Sequence, residues 1–552
     1  MKRKSQDESD LRSSSSSKHV RSTTTTVPVL FPSSFYCSTI QGVIDDPGVS
    51  LSIQDIFSGG YQRVLLTNYL IDHAWLIQQV PQLQQVPVLC IEDHRNLHRF
   101  ESLPPNNFQI HSPPMGPSSY GVHHAKMAIL LYEQGIRVAI FTNNFIEQDW
   151  RYKSNGIFVQ DFPRRKESSQ LNPEIKQWHQ FGPVLAHYLS KLDGPAIEFS
   201  QLISQYDYSN ARCALVPSIP GKHRGRALNM YGHMRLRYLQ NYFKRKSGQG
   251  RTGEGGVKEE VRLCAQVSSF GSISEKFLKE FKMSMLGATA LKDAAAARIN
   301  LSIAWPSQIL VRESNQGYQA GHSLCMPLKN CKSFLFGVGS GATQQQLPYL
   351  EKWRPVLPRG FGMPHIKTYC GGPTLCATGT HSVVPWLVLT SANMSSAAWG
   401  SLQAYRKSGQ KQQQQQQPQP QPQQQLDILH YEMGVLLRPE FCNNKILFSL
   451  TPEHPTLGFC NGTRMPDECS FLLTMSRDVV GTKLGSLLTP IPHKITGDPD
   501  FFVLRASEQP WRWSTAFDGL DAFGQICDGS FEKNVKKKTE EKSSNPDETG
   551  KG

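Results

Sequence analysis

Two segments far apart in the chain carry the same order of chemically distinctive residues. Each segment has a His-x-Lys triplet, an apolar stretch, a Thr or Ser two positions before an Asn, and a Trp six positions after that Asn. The residues are His124, Lys126, Thr142, Asn144 and Trp150 in the first segment, and His365, Lys367, Ser391, Asn393 and Trp399 in the second. Such a repeat indicates one structural unit that is present twice.

The repeated residue types suit a phosphate ligand. Alternate residues of a β-strand lie on one face, so each His-x-Lys directs an imidazole and an ammonium group into the same space. The Asn after the next strand can close over that space. Two such units facing each other would place two imidazoles on opposite sides of one phosphorus, as in-line displacement requires. Any one of these residues alone is better explained as a surface or turn residue, and both tryptophans are expected to be core anchors.

The pattern of apolar residues predicts a mixed α/β protein. Short β-rich runs at 88–91, 137–141 and 386–390 alternate with helical patterns such as 231–246, which favours α/β layers. We place a domain boundary near residue 213, before the breaker-rich segment PSIPGKHRG. The predicted organisation is a disordered tail at 1–26, domains at 27–213 and 214–528, a Gln/Pro-rich surface loop at 410–425, and a disordered tail at 529–552.

Charge and composition restrict the partners. The chain of 552 residues has 59 Lys and Arg against 45 Asp and Glu, a formal net charge of +14, so a polyanion is expected, nucleic acid before a membrane surface. No apolar run reaches the roughly 18 residues of a spanning helix, and the charged start MKRKSQDESD is not followed by a hydrophobic segment. We therefore expect no membrane span and no secretion. The 12 cysteines form no C-x-x-C pair, which favours reduced thiols and no zinc site.

At the repeated residues the chain resembles the phospholipase D superfamily, in which His-x-Lys occurs twice with an Asn downstream. Ordinary members also carry an Asp five positions after the Lys, where this chain has Leu131 and Gly372. The variant without that Asp is similar to the tyrosyl-DNA phosphodiesterases. The blocks that match in order, over roughly residues 27–525, are GVHHAKMAILLYEQGIRVAIFTNNF, FGMPHIKTY, LTSANMSSAAWG, YEMGVLL and QPWRW.

This resemblance implies a fold and an activity. The fold is two pseudo-symmetric phospholipase D-like domains, each a mixed β-sheet flanked by helices in an α-β-α layered sandwich. The activity is removal of the tyrosine that a stalled topoisomerase I leaves on a DNA 3′-phosphate, and trimming of other 3′-blocking groups. The resemblance implies no metal and no other cofactor. The expected partners are 3′-blocked DNA, single-stranded or nicked, and a topoisomerase I-derived peptide; the expected state is a nuclear monomer.

The resemblance also implies residue roles. His124 is expected to attack phosphorus and form a phosphohistidine, while His365 acts first as acid and then as base. Four further residues, Lys126, Lys367, Asn144 and Asn393, are expected to stabilise the charge on the phosphate. Glu432, in YEMGVLL, matches a residue that orients an imidazole. The family's DNA-contacting positions are occupied here by Tyr120, Ser268, Ser269 and Ser395.

Two positions depart from the family pattern. Ser396 stands where a DNA-contacting Lys is common, and Asn155 stands where Gln is usual near the active site. A basic stretch that could extend the DNA groove contains Lys222, Arg224 and Arg226. Two other functions remain open from the sequence: a lipid-directed phospholipase D, and a DNA-end-binding scaffold without turnover.

Overall fold

A computed structural model describes most residues of the ranges 35–165, 180–246, 260–327, 350–405 and 423–438, and isolated strands beyond these up to Asp528. Both predicted tails, 1–26 and 529–552, lie outside the described residues. So does the predicted Gln/Pro-rich loop up to residue 422.

The first half of the chain forms one mixed sheet of eight strands in the order β2-β1-β8-β7-β6-β3-β4-β5. The strands are β1 (Tyr36–Ser38), β2 (Ser50–Leu51), β3 (Arg63–Asn68), β4 (Val88–Glu92), β5 (Phe108–His111), β6 (Met127–Leu131), β7 (Gly135–Phe141) and β8 (Gly156–Pro163). Strands β3, β4 and β5 pair in parallel, whereas β6, β7 and β8 pair antiparallel.

The second half forms a seven-stranded mixed sheet in the order β13-β12-β11-β14-β15-β18-β9, beside a three-stranded sheet β10-β17-β16. The strands are β9 (Ala214–Ser218), β10 (Gly221–Arg224), β11 (Glu260–Gln266), β12 (Arg298–Trp305), β13 (Leu350–Lys352), β14 (Thr368–Pro373), β15 (Trp386–Thr390), β16 (Ser401–Tyr405), β17 (Gln423–Ile428) and β18 (Glu432–Leu437). Two further sheets contain β19 (Ile446–Pro452), β20 (Cys469–Met475) and β21 (Leu487–Lys494), and β22 (Ala516–Phe517) and β23 (Cys527–Asp528).

The α-helices pack around these sheets. Their bounds are Ile53–Ile56, His73–Gln79, Glu147–Arg151, Phe181–Lys191, Pro195–Leu202, Gly232–Lys246, Glu275–Leu286, Gln308–Arg312 and Ser396–Trp399. The helix Glu275–Leu286 shows how local sequence sets an end. Ser274 Oγ accepts a hydrogen bond from the backbone N–H of Phe277, and Gly287 ends the helix with a φ of 67°, a left-handed conformation that glycine adopts without strain.

The two main sheets pack against each other through one shared core. Val138 and Ile140 of β7 lie in the same cluster as Leu389 of β15 and Val435 of β18, whereas Ala139 of β7 belongs to a cluster on the other face of its sheet. Central strands with both faces buried read as continuous apolar runs, which explains MAILL in β6 and WLVLT in β15. The predicted mixed α/β class is confirmed, and the structure adds that the sheets meet face to face.

The end of the predicted surface loop at 410–425 is not a loop. Gln423, Gln424 and Gln425 are part of β17, where they pair with β16, and Gln425 also pairs with Arg224 of β10. The composition of these residues favours a loop. They form a strand because their backbone groups hydrogen-bond to the neighbouring strands β10 and β16. None of the helices in the described ranges combines the length and the apolar composition of a membrane span.

Candidate active site

Each His-x-Lys triplet lies immediately before a strand and is held by the other half of the chain. His124 precedes β6, and its backbone N–H donates to the carbonyl of Tyr431 at 2.9 Å. His365 precedes β14, and its backbone N–H donates to the carbonyl of Ser154 at 2.9 Å. The sequence pattern placed each triplet inside a strand. The structure instead places both triplets in segments just before a strand, where they bridge the two halves.

Two buried lysines beside the imidazoles favour an anion at this site. Lys126 Nζ donates to the carbonyl of His124 at 2.8 Å, and Lys367 Nζ makes the equivalent bond to the carbonyl of His365. Burial lowers the pKa of Lys126 from 10.5 to about 8, against the opposing effect of Glu432. Burial, followed by the charge of Lys126, lowers the pKa of Lys367. Two ammonium groups that repel each other in a buried cleft favour the entry of a negatively charged ligand between them.

The imidazole of His124 is oriented by Glu432. His124 Nδ1 lies 3.0 Å from Glu432 Oε2, across 308 residues of sequence, and Ser391 Oγ donates to the same oxygen. Burial acts to raise the pKa of Glu432, but the adjacent His124 and His430 imidazoles lower it overall, so the carboxylate stays ionised. Because Nδ1 is engaged, Nε2 is the nitrogen of His124 that remains for a ligand.

The imidazole of His365 has a matching partner that sequence reasoning missed. His365 Nδ1 lies 3.1 Å from Asp149 Oδ2, in ion-pair contact. Asp149 also accepts hydrogen bonds from the backbone N and the Nδ2 of Asn144, at 2.6 and 2.9 Å, and Lys153 Nζ lies 3.8 Å from its Oδ1. The available sequence signal was an acid directly before the repeated Trp150, where the second copy has Ala398 before Trp399.

The two carboxylates cross between the halves. Glu432 comes from the second half and contacts His124 of the first, whereas Asp149 comes from the first half and contacts His365 of the second. Either half alone therefore lacks the group that orients its own imidazole. The site requires both halves of one chain.

Burial sets the charge of both imidazoles. It lowers the pKa of His124 to about 4 and that of His365 to about 3, although Glu432 and Asp149 act to raise these values. The expected roles, His124 as nucleophile and His365 as acid, require one neutral and one protonated imidazole near neutral pH. The structure instead favours two neutral imidazoles there, because reference values near 6.5 assume exposure to water.

The two repeated asparagines have different contacts. Asn144 donates to Asp149, as described above. Asn393 Oδ1 accepts from the backbone N–H groups of Ser268 and Ser269 at 3.1 and 3.0 Å, which directs its Nδ2 elsewhere. These bonds bring the predicted DNA-contacting serines beside Asn393, while Ser395 Oγ caps the helix Ser396–Trp399 by accepting from Ala398 N at 3.1 Å. Both repeated tryptophans are buried in the core, as predicted.

Tyr120 has an exposed ring on a loop that is held next to the first triplet. Its side chain is 79% exposed. Arg95 donates to the carbonyls of Ser119 and Gly121 and pairs with Asp93, which also accepts from His123 N at 3.0 Å. The Asp93–Arg95 pair therefore ties the Tyr120 loop to the residue before His124.

The two departures from the family pattern have structural roles away from the imidazoles. Asn155 Oδ1 accepts from Thr142 Oγ1 at 2.7 Å, and its Nδ2 donates to the backbone carbonyl of Asp149 at 2.9 Å. Asn155 thus supports the residue that contacts His365. Ser396 donates through N and Oγ to the carbonyl of Ser272, at 3.4 and 3.3 Å.

The predicted basic extension lies on the small sheet. Lys222, Arg224 and Arg226 are exposed on β10 and the turn after it. The guanidinium of Arg224 stacks 4.1 Å from the centre of the Tyr405 ring and donates to Gln425 Oε1 at 2.8 Å.

Among the described residues, no group of three or more His, Cys, Asp and Glu side chains is arranged to hold a metal ion.

Comparison with known proteins identifies the family of this chain. A family model described as tyrosyl-DNA phosphodiesterase matches residues 34–483. Tyrosyl-DNA phosphodiesterase 1 of Arabidopsis thaliana is 29% identical over 520 residues, which cover 90% of this chain and 76% of the relative. A probable tyrosyl-DNA phosphodiesterase of Caenorhabditis elegans is 30% identical over 349 residues, 62% of this chain and 68% of the relative.

The fold agrees with a solved structure. The yeast tyrosyl-DNA phosphodiesterase superimposes with a TM-score of 0.53 at 17% identity, covering 75% of this chain and 91% of that chain. At this identity the likeness concerns the fold, while the family model spans most of the sequence. The chain therefore belongs to the tyrosyl-DNA phosphodiesterase family.

Proposed function

We propose that this protein is a DNA repair phosphodiesterase that hydrolyses the bond between a tyrosine and a DNA 3′-phosphate, the adduct of a stalled topoisomerase I, and also removes other 3′-blocking groups. The observation that carries the proposal is the pairing of two imidazoles, each with Nδ1 on a carboxylate, in a cleft that contains two buried lysines. This arrangement supplies a nucleophile, an acid and base, and positive charge for one phosphodiester.

The first chemical step breaks the bond from phosphorus to the tyrosine oxygen. His124 Nε2 attacks phosphorus, forming a P–N bond, while Glu432 holds Nδ1–H and stabilises the positive charge that develops on the ring. His365 donates its proton to the departing tyrosine oxygen. Lys126 and Lys367, with the amide of Asn393, stabilise the negative charge on the other phosphate oxygens.

The second step regenerates the enzyme. His365, now neutral, takes a proton from water, and the water oxygen attacks phosphorus as the P–N bond to His124 breaks. The product is a DNA 3′-phosphate. His365 must be protonated before the first step, and the negative charge of an arriving phosphodiester, together with Asp149, favours that proton uptake. The tyrosine leaving group, with a reference pKa of about 10, needs less assistance than an alkyl alcohol.

Further features support a single-stranded DNA end as the substrate. The exposed ring of Tyr120 offers a stacking surface for a base, and Ser268, Ser269 and Ser395 lie around Asn393, where backbone phosphates can bind. The active site is built from two halves of one chain, so a monomer is sufficient. We propose a nuclear location on the basis of the clusters Lys2-Arg3-Lys4 and Lys536-Lys537-Lys538, which lie outside the described residues.

A gel assay on a 3′-phosphotyrosyl oligonucleotide in EDTA tests the function. Cleavage to a 3′-phosphate is expected, with no turnover of phosphatidylcholine vesicles under the same conditions. Turnover of the lipid without the oligonucleotide would favour a lipid-directed phospholipase D. Binding of the oligonucleotide without cleavage at micromolar enzyme would favour a non-catalytic scaffold.

The alkaline side of the pH profile is expected to report Lys126. Its pKa is lowered to about 8, so its positive charge is present below pH 8 and is lost above it. The kcat/KM for the oligonucleotide should therefore fall above about pH 8, because this parameter reports the free enzyme. In Lys126→Arg the charge persists, and the alkaline decline should move to higher pH even though turnover is lower.

The control for this profile is Lys279→Arg, which changes an exposed lysine in the helix Glu275–Leu286. Its alkaline decline should coincide with that of the wild type. A Lys126→Arg enzyme whose decline also stays in place would show that another group controls the profile.

Asp149 is expected to act through His365. Asp149→Asn keeps the shape of the side chain but removes the charge that stabilises the imidazolium of His365, so we expect kcat to fall roughly 100-fold. The loss should be in hydrolysis of the covalent intermediate, measured in a single turnover. The matched control is Glu147→Gln on the same helix, whose side chain is 45% exposed. Equal losses in both variants would indicate disruption of the helix rather than of His365.

A further inference from the structure

A third histidine shares the carboxylate that orients His124. His430 Nδ1 lies 3.5 Å from Glu432 Oε1, whereas His124 Nδ1 lies 3.0 Å from Oε2. His430 precedes Glu432 by two residues, at the bend before β18, and its imidazole approaches the carboxylate oxygen that His124 does not contact. The side chain of His430 is 20% exposed, more than the 15% of His124. The roles described so far do not use His430.

The position of His430 is between two predicted DNA contacts. On one side, the backbone N–H groups of Leu429 and His430 donate to the carbonyl of Ala397, at 3.0 and 3.1 Å, two residues after Ser395. On the other side, the loop that carries Tyr120 packs directly on this segment. A Cβ on Gly121 would lie 2.8 Å from the Leu429 carbonyl oxygen, so only glycine permits this approach.

The ring of His430 has a nitrogen available for a ligand. Nδ1 faces Glu432, so Nε2, on the other side of the ring, is directed away from the carboxylate. Nε2 is not among the buried polar atoms that lack a partner in the described part of the chain, and no hydrogen bond there engages it. An imidazolium donates through both nitrogens, so His430 can hold Glu432 with one nitrogen and an anion with the other.

Local charge favours an anionic ligand at this place. Two lysines, Lys126 and Lys367, lie close enough to Glu432 for its carboxylate to act on their pKa values, and the His124 imidazole contacts the same carboxylate. The helix start Ser395–Trp399, with the sequence SSAAW, contains no basic residue. His430 supplies an ionisable donor between the Tyr120 loop and Ser395.

We propose that His430 binds, through Nε2, the DNA backbone phosphate next to the scissile one. This inference rests on the proposed function. A strand that stacks a base on Tyr120 and enters the cleft with its 3′-phosphate passes the exposed edge of His430. A charge-assisted hydrogen bond at this point makes His430 a residue that distinguishes an oligonucleotide from a single nucleotide.

Two substrates test the proposal. One is a 3′-phosphotyrosyl oligonucleotide; the other is thymidine 3′-(4-nitrophenyl phosphate), which contains only the reacting phosphate. In His430→Ala, the ratio of kcat/KM for the oligonucleotide to that for the nucleoside ester should fall about tenfold, the effect of losing one charged hydrogen bond. His430→Lys, which places a cation at this position, should restore most of that ratio. The charge control Arg245→Ala, at an exposed residue near the end of helix Gly232–Lys246, should keep the wild-type ratio.

A modified substrate identifies the phosphate. A methylphosphonate, which is uncharged, replaces the linkage next to the scissile phosphate. With the wild type, kcat/KM for this oligonucleotide should be about tenfold lower than for the unmodified one. With His430→Ala, the modified and unmodified oligonucleotides should have the same kcat/KM. If the methylphosphonate lowered kcat/KM by the same factor in His430→Ala as in the wild type, the proposal would be overturned. So would equal losses on both substrates, since His430 would then act on His124 through Glu432. A wild-type enzyme that cleaves neither substrate would defeat the proposed function itself, whereas cleavage with an unchanged ratio in His430→Ala defeats only this inference.

Discussion

The His124→Ala enzyme is expected to form no covalent intermediate and to lose at least roughly 10⁴-fold in turnover, the scale of loss when a nucleophile is removed. The physical reason is that Nε2 of His124 is the atom that bonds to phosphorus, and alanine offers no substitute. The measurement uses a 5′-labelled 3′-phosphotyrosyl oligonucleotide, followed by denaturing gels that retain any label attached to protein. A phosphohistidine is labile in acid, which identifies the linkage.

The control for this experiment is His94→Ala. The His94 side chain is 60% exposed and takes no part in the proposed chemistry. It lies 3.7 Å from Asp93, which keeps its closer bonds to Arg95 and His123 in this variant, so the label on protein and the rate of turnover should match the wild type. Acid-labile label on His124→Ala protein at the wild-type rate would remove His124 as the nucleophile. The arrangement of Glu432 would then need another explanation.

The His365→Ala enzyme is expected to accumulate the covalent enzyme–DNA species. The first step expels a tyrosine oxygen with a reference pKa of about 10 and depends modestly on an acid. The second step requires a base to activate water, so its loss should slow hydrolysis of the intermediate by roughly 10²- to 10⁴-fold. A single-turnover experiment with enzyme in excess should show rapid formation of labelled protein and its slow decay.

Two comparisons make this result specific. Asp149→Asn should slow the same decay to a smaller degree, because it leaves the imidazole in place and removes only its carboxylate partner. The double variant His124→Ala/His365→Ala should show no labelled protein. If the intermediate decays in His365→Ala as fast as in the wild type, His365 is not the base for water.

The repeat in the sequence was enough to find the residues that each half supplies by itself. His124, Lys126 and Asn144, and their counterparts in the second segment, are recognisable because the same types occur twice at similar spacing. The mixed α/β class followed in the same way from alternating apolar runs and helical patterns. The buried tryptophans were predictable too, because a large apolar ring at a repeated position is ordinarily a core residue.

Contacts between the halves were not available from the sequence. Glu432 was identified through the family resemblance. Asp149 was not, since it touches His365 only after the two sheets pack together. His430 was not identified either, because no repeated motif includes the residue two positions before Glu432. The end of the Gln-rich tract was misread for a related reason: Gln423–Gln425 join a sheet because β10 and β16 present strand edges to them. The composition of a segment does not indicate which strands will lie beside it in the folded protein.

The sequence by itself determined which chemical groups the protein brings to a phosphodiester: two imidazoles, two ammonium groups and two amides, each set encoded once per half. Only the tertiary structure decided which carboxylate orients which imidazole and how burial shifts the pKa values of the buried histidines and lysines. The physical reason is that side-chain identity is a local property of the chain, whereas distance between charges and exclusion of water arise when residues hundreds of positions apart pack against each other.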